Sequence, residues 1–85
     1  MDPKKLEKKF FAMAQAVLPP DPARPPLSRA TKLLDDPMID SLTMASLSVS
    51  VGEEFGIGSD VMAALMPNFL TAGDALDLIA AELSG

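Results

Sequence analysis

Asp40, Ser41 and Leu42 stand where a long loop meets the start of an amphipathic segment. Aspartate and serine are both preferred at the first position of a helix, because their side-chain oxygens accept hydrogen bonds from free backbone N–H groups. Helix capping alone therefore explains both residue types. The Ser41 hydroxyl is also the group in this segment that can carry chemistry, and which chemistry depends on what the rest of the chain supplies.

The amino-acid composition limits that chemistry. The chain of 85 residues contains no Cys, His, Trp or Tyr. Without histidine, catalysis of the Ser-His-Asp type is excluded. The absence of both histidine and cysteine also excludes thiolate nucleophiles and the common zinc sites. At this length we expect one small domain, residues 1–85, with a carrier or binding role and no enzymatic activity of its own.

Charge is distributed unevenly along the chain. Residues 1–34 contain seven basic and three acidic side chains, whereas residues 35–85 contain nine acidic side chains and no basic one. The net charge of −5 makes nucleic acid a poor partner. The asymmetry indicates either a charged partner or attraction between the two halves of the domain, and the sequence leaves both open.

The N-terminal segment resembles a signal peptide only in part. Glu7 lies among its lysines, and Gln15 interrupts its apolar stretch. No apolar run approaches the roughly 18 residues of a membrane-spanning helix. The same residues form a good amphipathic helix, so we expect a cytoplasmic monomer without a membrane span.

Apolar periodicity and helix-ending residues predict four helices. The first helix follows Asp2 as its cap and has Pro3 at its first position, and the fourth follows Thr71 and Asp74, which resemble a capping box. The third is expected to be short and capped by Ser59 or Asp60. The predicted bounds are about 3–17, 40 or 41 to 55, 59–66 and 72–83.

The apolar positions of these helices predict a common core. Antiparallel helices joined by short loops form a bundle, so the fold class is all-α, a small four-helix bundle with a long loop between the first two helices. A second apolar line in the second helix, Leu42, Ala45 and Val49, lies beside the core stripe. The predicted core positions are Leu6, Phe10, Met13, Ala14 and Val17, then Met44, Leu47, Val51 and Phe55, then Leu76, Ile79, Ala80 and Leu83.

The loop over residues 19–37 is rich in proline. Its five prolines between Pro19 and Pro26 predict an extended, semi-rigid connection, with a PxxP recognition site at 19–22 or 22–25 as the alternative. Leucines 27, 33 and 34 are expected to hold its later part against the core. A short helical turn over 28–34, capped by Ser28, is expected there.

Residues 40–57, DSLTMASLSVSVGEEFGI, resemble the acyl carrier protein family. In that family Asp-Ser-Leu opens the second helix and a Glu-Glu-Phe-like ending closes it. Glu53-Glu54-Phe55 lies at the family's spacing from Ser41. The order of the helices extends the resemblance over about residues 3–83, with TAGDALDLI, residues 71–79, as the start of the fourth helix.

The resemblance implies that Ser41 is the attachment point for 4′-phosphopantetheine, which a phosphopantetheinyl transferase would move from coenzyme A. The thiol of this arm would carry an acyl or aminoacyl group as a thioester, in fatty acid or polyketide biosynthesis. Its partners would be a loading enzyme and a downstream acyltransferase or synthase. Asp40 and Leu42 flank the attachment site, and Asp40 matches the acidic residue that the family keeps before the serine. The expected partner surface is Leu42, Thr43, Ala45, Ser46, Val49 and Glu53.

Two features depart from the family pattern. Met38 stands three residues before the serine, where the family usually has glycine. Thr43, Ser46 and Gly52 stand where the family's second helix commonly has acids. We therefore expect a carrier for a specialised pathway whose partner binding depends weakly on salt.

The alternative hypothesis is an unmodified helical protein–protein interaction module. In that case Ser41 is only a helix cap. The proline-rich loop or the lysine-rich first helix would then bind the partner.

Overall fold

The computed structural model describes residues 2–18, 22, 25–34 and 39–84. Four α-helices form in this part of the chain, and α1 contacts both α2 and α4 while α2 contacts α3. The predicted small all-α four-helix bundle is confirmed. The helices are α1, Pro3–Val17; α2, Ser41–Phe55; α3, Ser59–Leu65, followed by a 3-10 turn, Met66–Asn68; and α4, Ala72–Ser84.

The polar ends of α1 and α4 form as their sequences predict. The Asp2 carboxylate accepts a hydrogen bond from the backbone N–H of Lys4 at 3.0 Å. Thr71 and Asp74 bond reciprocally: the Thr71 N–H donates to Asp74 Oδ2, and the Asp74 N–H donates to Thr71 Oγ1, both at 3.2 Å. This capping box satisfies N–H groups that have no partner inside the helix.

The predicted cap of α3 is wrong. Gly58 is the N-cap residue, and no side chain makes a capping hydrogen bond there. Ser59 already lies in the first helical position, one residue too late to cap. Asp60 lies in the first turn of α3, where a negative charge suits the positive end of the helix dipole.

The core contains the predicted stripe of α2, whose four residues are all at most 8% exposed. In α1, Met13 and Val17 are only partly buried. Leu83, predicted as core, is 37% exposed because it lies one turn beyond Ile79, the last buried residue of α4. The buried apolar residues are Leu6, Phe10, Ala14, Leu18, Leu33, Ile39, Met44, Leu47, Val51, Phe55, Ile57, Met62, Phe69, Ala72, Ala75, Leu76 and Ile79.

Within the described residues, none of the helices combines the length and the apolar content needed to cross a lipid bilayer.

The described part of the long loop forms a short turn over residues 28–31 and then an extended contact. The Ser28 hydroxyl accepts a hydrogen bond from the Ala30 N–H at 3.3 Å, so the predicted cap forms, but the predicted helical turn does not extend to residue 34. The Thr31 N–H donates to the Ser28 carbonyl at 3.1 Å, and Lys32 then forms an isolated antiparallel bridge with Thr71. Leu33 is 1% exposed and holds this segment to the core as expected, whereas Leu34 is 39% exposed. Both PxxP matches include residues outside the described part of the chain.

The same segment covers the first turn of α4. The carbonyls of Arg29 and Thr31 accept hydrogen bonds from the N–H groups of Gly73 and Ala72, both at 2.8 Å. Arg29 also extends its guanidinium to the Asp77 carboxylate at 2.7 Å. The hydrogen bond to Asp77 and its negative charge raise the pKa of Arg29. The long loop is therefore attached to α4 at both backbone and side-chain level.

Gly73 permits this close contact. A Cβ atom at residue 73 would lie 3.0 Å from the Arg29 carbonyl oxygen and 3.2 Å from the Arg29 Cβ. Both distances are shorter than ordinary van der Waals contact, and one of the two atoms belongs to the backbone. Glycine is thus required by a neighbour that is distant in sequence, although α4 itself would accept alanine.

We predict that Gly73→Ala lowers the free energy of unfolding by about 1–3 kcal/mol, because the added methyl group forces the loop away from α4. Urea unfolding followed by circular dichroism measures the change. Ala81→Gly, at an exposed position of the same helix, is the control for helix propensity, which favours alanine by about 1 kcal/mol. A Gly73→Ala protein more stable than the parent would show that propensity outweighs the contact.

Candidate functional site

The start of α2 is held from both sides by buried residues. Ile39, just before the helix, is 6% exposed, and Met44, at the end of its first turn, is 3% exposed. Between them, Ser41 and Leu42 are exposed to solvent. The backbone around Ser41 is therefore fixed by packing while the serine side chain faces outward.

Asp40 is the residue that caps α2. Its backbone is extended, with φ −86° and ψ 176°, and its Oδ1 accepts a hydrogen bond from the Thr43 N–H at 2.8 Å. Its carbonyl accepts the first bond of the helix, from the Met44 N–H at 3.1 Å. The capping interpretation thus holds for Asp40. Ser41 occupies the first helical position and is not the cap.

The Asp40 carboxylate is stabilised in its charged form. Hydrogen bonding from the Thr43 backbone N–H is the main cause, and the Leu42 backbone contributes less, so the pKa of Asp40 lies below its ordinary value. A permanent negative charge therefore lies next to the Ser41 hydroxyl at neutral pH.

The outer face of α2 presents apolar side chains to solvent. Leu42 is 74% exposed and Val49 is 59% exposed, the two highest values among the large apolar residues that the structure describes. Ala45 and Ser46 lie between them at helical spacing and are exposed, and Glu53 continues the same surface toward the end of the helix. We call these five residues the α2 face.

Thr43, also a predicted partner residue, is less exposed than the residues of the α2 face. It is half-buried, and its backbone N–H donates a hydrogen bond to the capping carboxylate of Asp40. The other five predicted partner residues lie together on one surface that begins beside Ser41. Exposed apolar side chains of this kind contribute little to folding and are typical of interaction surfaces.

A groove of about 260 Å³ separates α2 from α3 and adjoins the α2 face. It begins about 10 Å from Ser41 along the helix, given a rise of 1.5 Å per residue. Two of its lining residues, Ile57 and Met62, are apolar and buried. The lining residues are Ser48, Val49, Gly52, Glu53, Ile57, Ser59 and Met62.

Gly52 shapes the end of this groove, a role that the residue pattern alone does not predict. Its carbonyl accepts a hydrogen bond from the Ile57 N–H at 2.9 Å, and a Cβ at residue 52 would lie 2.9 Å from the Ile57 carbonyl oxygen. A glycine inside an otherwise continuous helix is the signal that could have indicated this close approach. The close approach of Ile57 therefore requires glycine at residue 52, a position at which acyl carrier proteins commonly have an acid.

Met38, which stands where acyl carrier proteins usually have glycine, lies outside the described residues.

Comparison of the chain with models of protein families, with curated proteins and with solved structures finds no match in any of the three.

We predict that Asp40→Ala lowers the free energy of unfolding at neutral pH, because α2 loses the acceptor for the Thr43 N–H. The pKa of Asp40 is lowered in the folded state, so its contribution is complete above the ordinary aspartate pKa of about 3.9 and is lost as pH falls through the lower folded value. The difference between Asp40→Ala and the parent should therefore shrink on acidification. Urea unfolding at neutral pH and at about pH 2–3 measures it.

Asp40→Asn is the matched control, since asparagine also caps helices but does not ionise. It should retain more stability than Asp40→Ala at neutral pH. A difference between Asp40→Ala and the parent that stays constant over the whole pH range would contradict the role of the charged carboxylate.

Proposed function

We propose that this chain is a carrier protein that is modified with 4′-phosphopantetheine on Ser41. The observation that supports it best is that Asp40, and not Ser41, caps α2. Ser41 is exposed, and its backbone is held by the buried residues Ile39 and Met44. A serine with no capping duty at this position suits a modification site. The resemblance of residues 40–57 to acyl carrier proteins supplies the identity of the group.

Attachment needs no catalytic group from this chain. The Ser41 Oγ would form a bond to the phosphorus of the phosphopantetheine half of coenzyme A, and the bond from that phosphorus to the bridging pyrophosphate oxygen would break. Adenosine 3′,5′-bisphosphate leaves, and a base of the phosphopantetheinyl transferase takes the hydroxyl proton. The absence of histidine and cysteine is compatible with this step, because the transferase provides the catalysis.

The residues around Ser41 fit such an arm. The bound arm supplies a thiol that holds an acyl or aminoacyl group as a thioester. The N-terminal end of a helix favours a negatively charged phosphodiester, but the Asp40 carboxylate already interacts with the amides there. The negative charge of Asp40 therefore offsets the attraction between the helix end and the phosphodiester, so the arm would not be fixed against the protein. A mobile arm suits a carrier that must reach several enzymes. Since the chain has no cysteine, it has no thiol that competes for the acyl group.

The α2 face is the proposed contact surface for the transferase, for the acyl-loading or aminoacyl-loading enzyme and for a downstream acyltransferase or synthase. It begins beside Ser41, and its most exposed members, Leu42 and Val49, are apolar. Glu53 is its one acidic member, which favours apolar contact with a weak salt dependence. The adjoining groove offers apolar surface, from Ile57 and Met62, to an acyl cargo on the arm.

We predict that incubation with coenzyme A and a phosphopantetheinyl transferase of broad specificity adds the mass of one phosphopantetheine to the chain. Ser41→Ala should abolish the addition, because the acceptor oxygen is lost. Ser84→Ala, at an exposed serine at the end of α4 and outside the α2 face, should still be modified. Intact-protein mass spectrometry measures all three proteins.

The control for folding is circular dichroism, since Ser41 does not cap α2 and Ser41→Ala should keep its helix content. If several unrelated transferases add nothing to the parent chain, the carrier proposal fails. The alternative of an unmodified helical interaction module would then stand.

We predict that Leu42→Ser lowers kcat/KM of the transferase for this chain by about fivefold or more, because Leu42 would be buried in the complex. Its stability should change little, since the side chain is 74% exposed in the free protein. Leu70→Ser is the matched control: Leu70 is 51% exposed, precedes α4 and is not a member of the α2 face. Equal losses for both variants would contradict a role of the α2 face.

A further inference from the structure

The first half of α1 carries a group of exposed lysines. Lys4, Lys5 and Lys8 project within an arc of about 100°, given 3.6 residues per turn, on the side of α1 opposite the buried Phe10. Lys9 lies at the edge of this arc and pairs with Glu54 at 3.1 Å. We call Lys4, Lys5 and Lys8 the basic surface.

The position of these lysines does not help the helix. The N-terminal end of a helix is its positive end, so lysines there are repelled and are favourable only near the C-terminal end. α1 has no acidic residue in its first turn and no basic residue in its last. Its charges are therefore arranged against its own dipole, and folding does not explain why the lysines are there.

The basic surface lies far from Ser41. The Lys9–Glu54 pair brings the middle of α1 to the end of α2, and Glu54 lies thirteen residues beyond Ser41 on that helix. At a rise of 1.5 Å per residue, this separation is about 20 Å. A partner bound through the first turns of α1 would leave the start of α2 accessible.

We propose that the basic surface is a second docking surface, which binds an acidic patch on a partner protein at the end of the bundle remote from Ser41. Charge complementarity identifies the occupant as anionic. The proposal does not rest on modification of Ser41, because the lysines and their placement are independent of what that serine carries.

The composition of α1 favours a protein over a lipid surface as this partner. Helices that lie on membranes insert large apolar side chains beside their basic residues. Around the basic surface, the fully exposed residues of α1 are Ala12, Gln15 and Ala16. The large apolar neighbour Phe11 is partly buried and packs against the core, as do the buried Leu6 and Phe10.

The charge of the rest of the chain points the same way. Residues 35–85 carry nine acids and no base. A bilayer or a nucleic acid presents an extended anionic surface, which would repel this half more strongly than a local acidic patch on a protein does.

The test is binding of a short fluorescein-labelled glutamate peptide, a soluble mimic of a local acidic patch, to the full chain at low salt, measured by fluorescence anisotropy. Lys5→Glu and Lys8→Glu should each raise Kd about threefold or more. Lys32→Glu changes the net charge equally but lies outside α1, and it should change Kd less than twofold. Amide shifts in NMR spectra should cluster at residues 4–9.

Several results would overturn the proposal. They are no binding of the peptide by the parent chain, an equal effect of Lys32→Glu, and lysine-dependent binding to vesicles of phosphatidylglycerol and phosphatidylcholine without binding to the peptide. Self-association that is lost in Lys8→Glu, detected by analytical ultracentrifugation, would instead identify a second copy as the occupant. Circular dichroism checks folding, and Lys5→Glu should raise the thermal midpoint, because it removes the unfavourable charge from the first turn.

Discussion

The contact between residues 29–33 and the first turn of α4 is the constraint on which the arrangement of the bundle depends. Helix α4 begins with N–H groups that need acceptors, and the carbonyls of Arg29 and Thr31 supply two of them. Through this contact, the long loop between α1 and α2 packs against α4 before α2 begins. Buried Leu33 and Ile39 then hold the chain on either side of residues 35–38. The position of Ser41 is thus set partly by hydrogen bonds to another helix.

Local signals account for most of what the sequence predicts correctly. The apolar stripe of α2, the Asp2 cap and the Thr71–Asp74 capping box each depend on residues within one or two helical turns, so spacing alone reveals them. The all-α class follows from the same periodicity. The exact first residue of a helix is harder to predict from the sequence. In α3, Ser59 already lies inside the helix and no side chain caps it, contrary to the prediction.

Non-local contacts account for what the sequence does not reveal. The need for Gly73 comes from Arg29, more than forty residues away, and the need for Gly52 comes from the loop after α2. The sequence also leaves open which of two adjacent capping residues caps α2. Backbone geometry decides it, because only Asp40 has the extended conformation that directs its carboxylate to the Thr43 N–H. The assignment of Ser41 as a modification site remains a prediction from the motif.

Because Asp40 caps α2, the side chain of residue 41 contributes little to the free energy of unfolding. The Ser41 side chain is exposed and makes no capping hydrogen bond. The chain with a group attached to Ser41 and the chain without it would therefore have the same fold and nearly the same stability. An enzyme that must tell them apart would then have to recognise the added group itself. If Ser41 is modified, the start of α2 would keep one conformation with or without the attached group. Partner enzymes would then distinguish different cargoes only by contacts with the attached group.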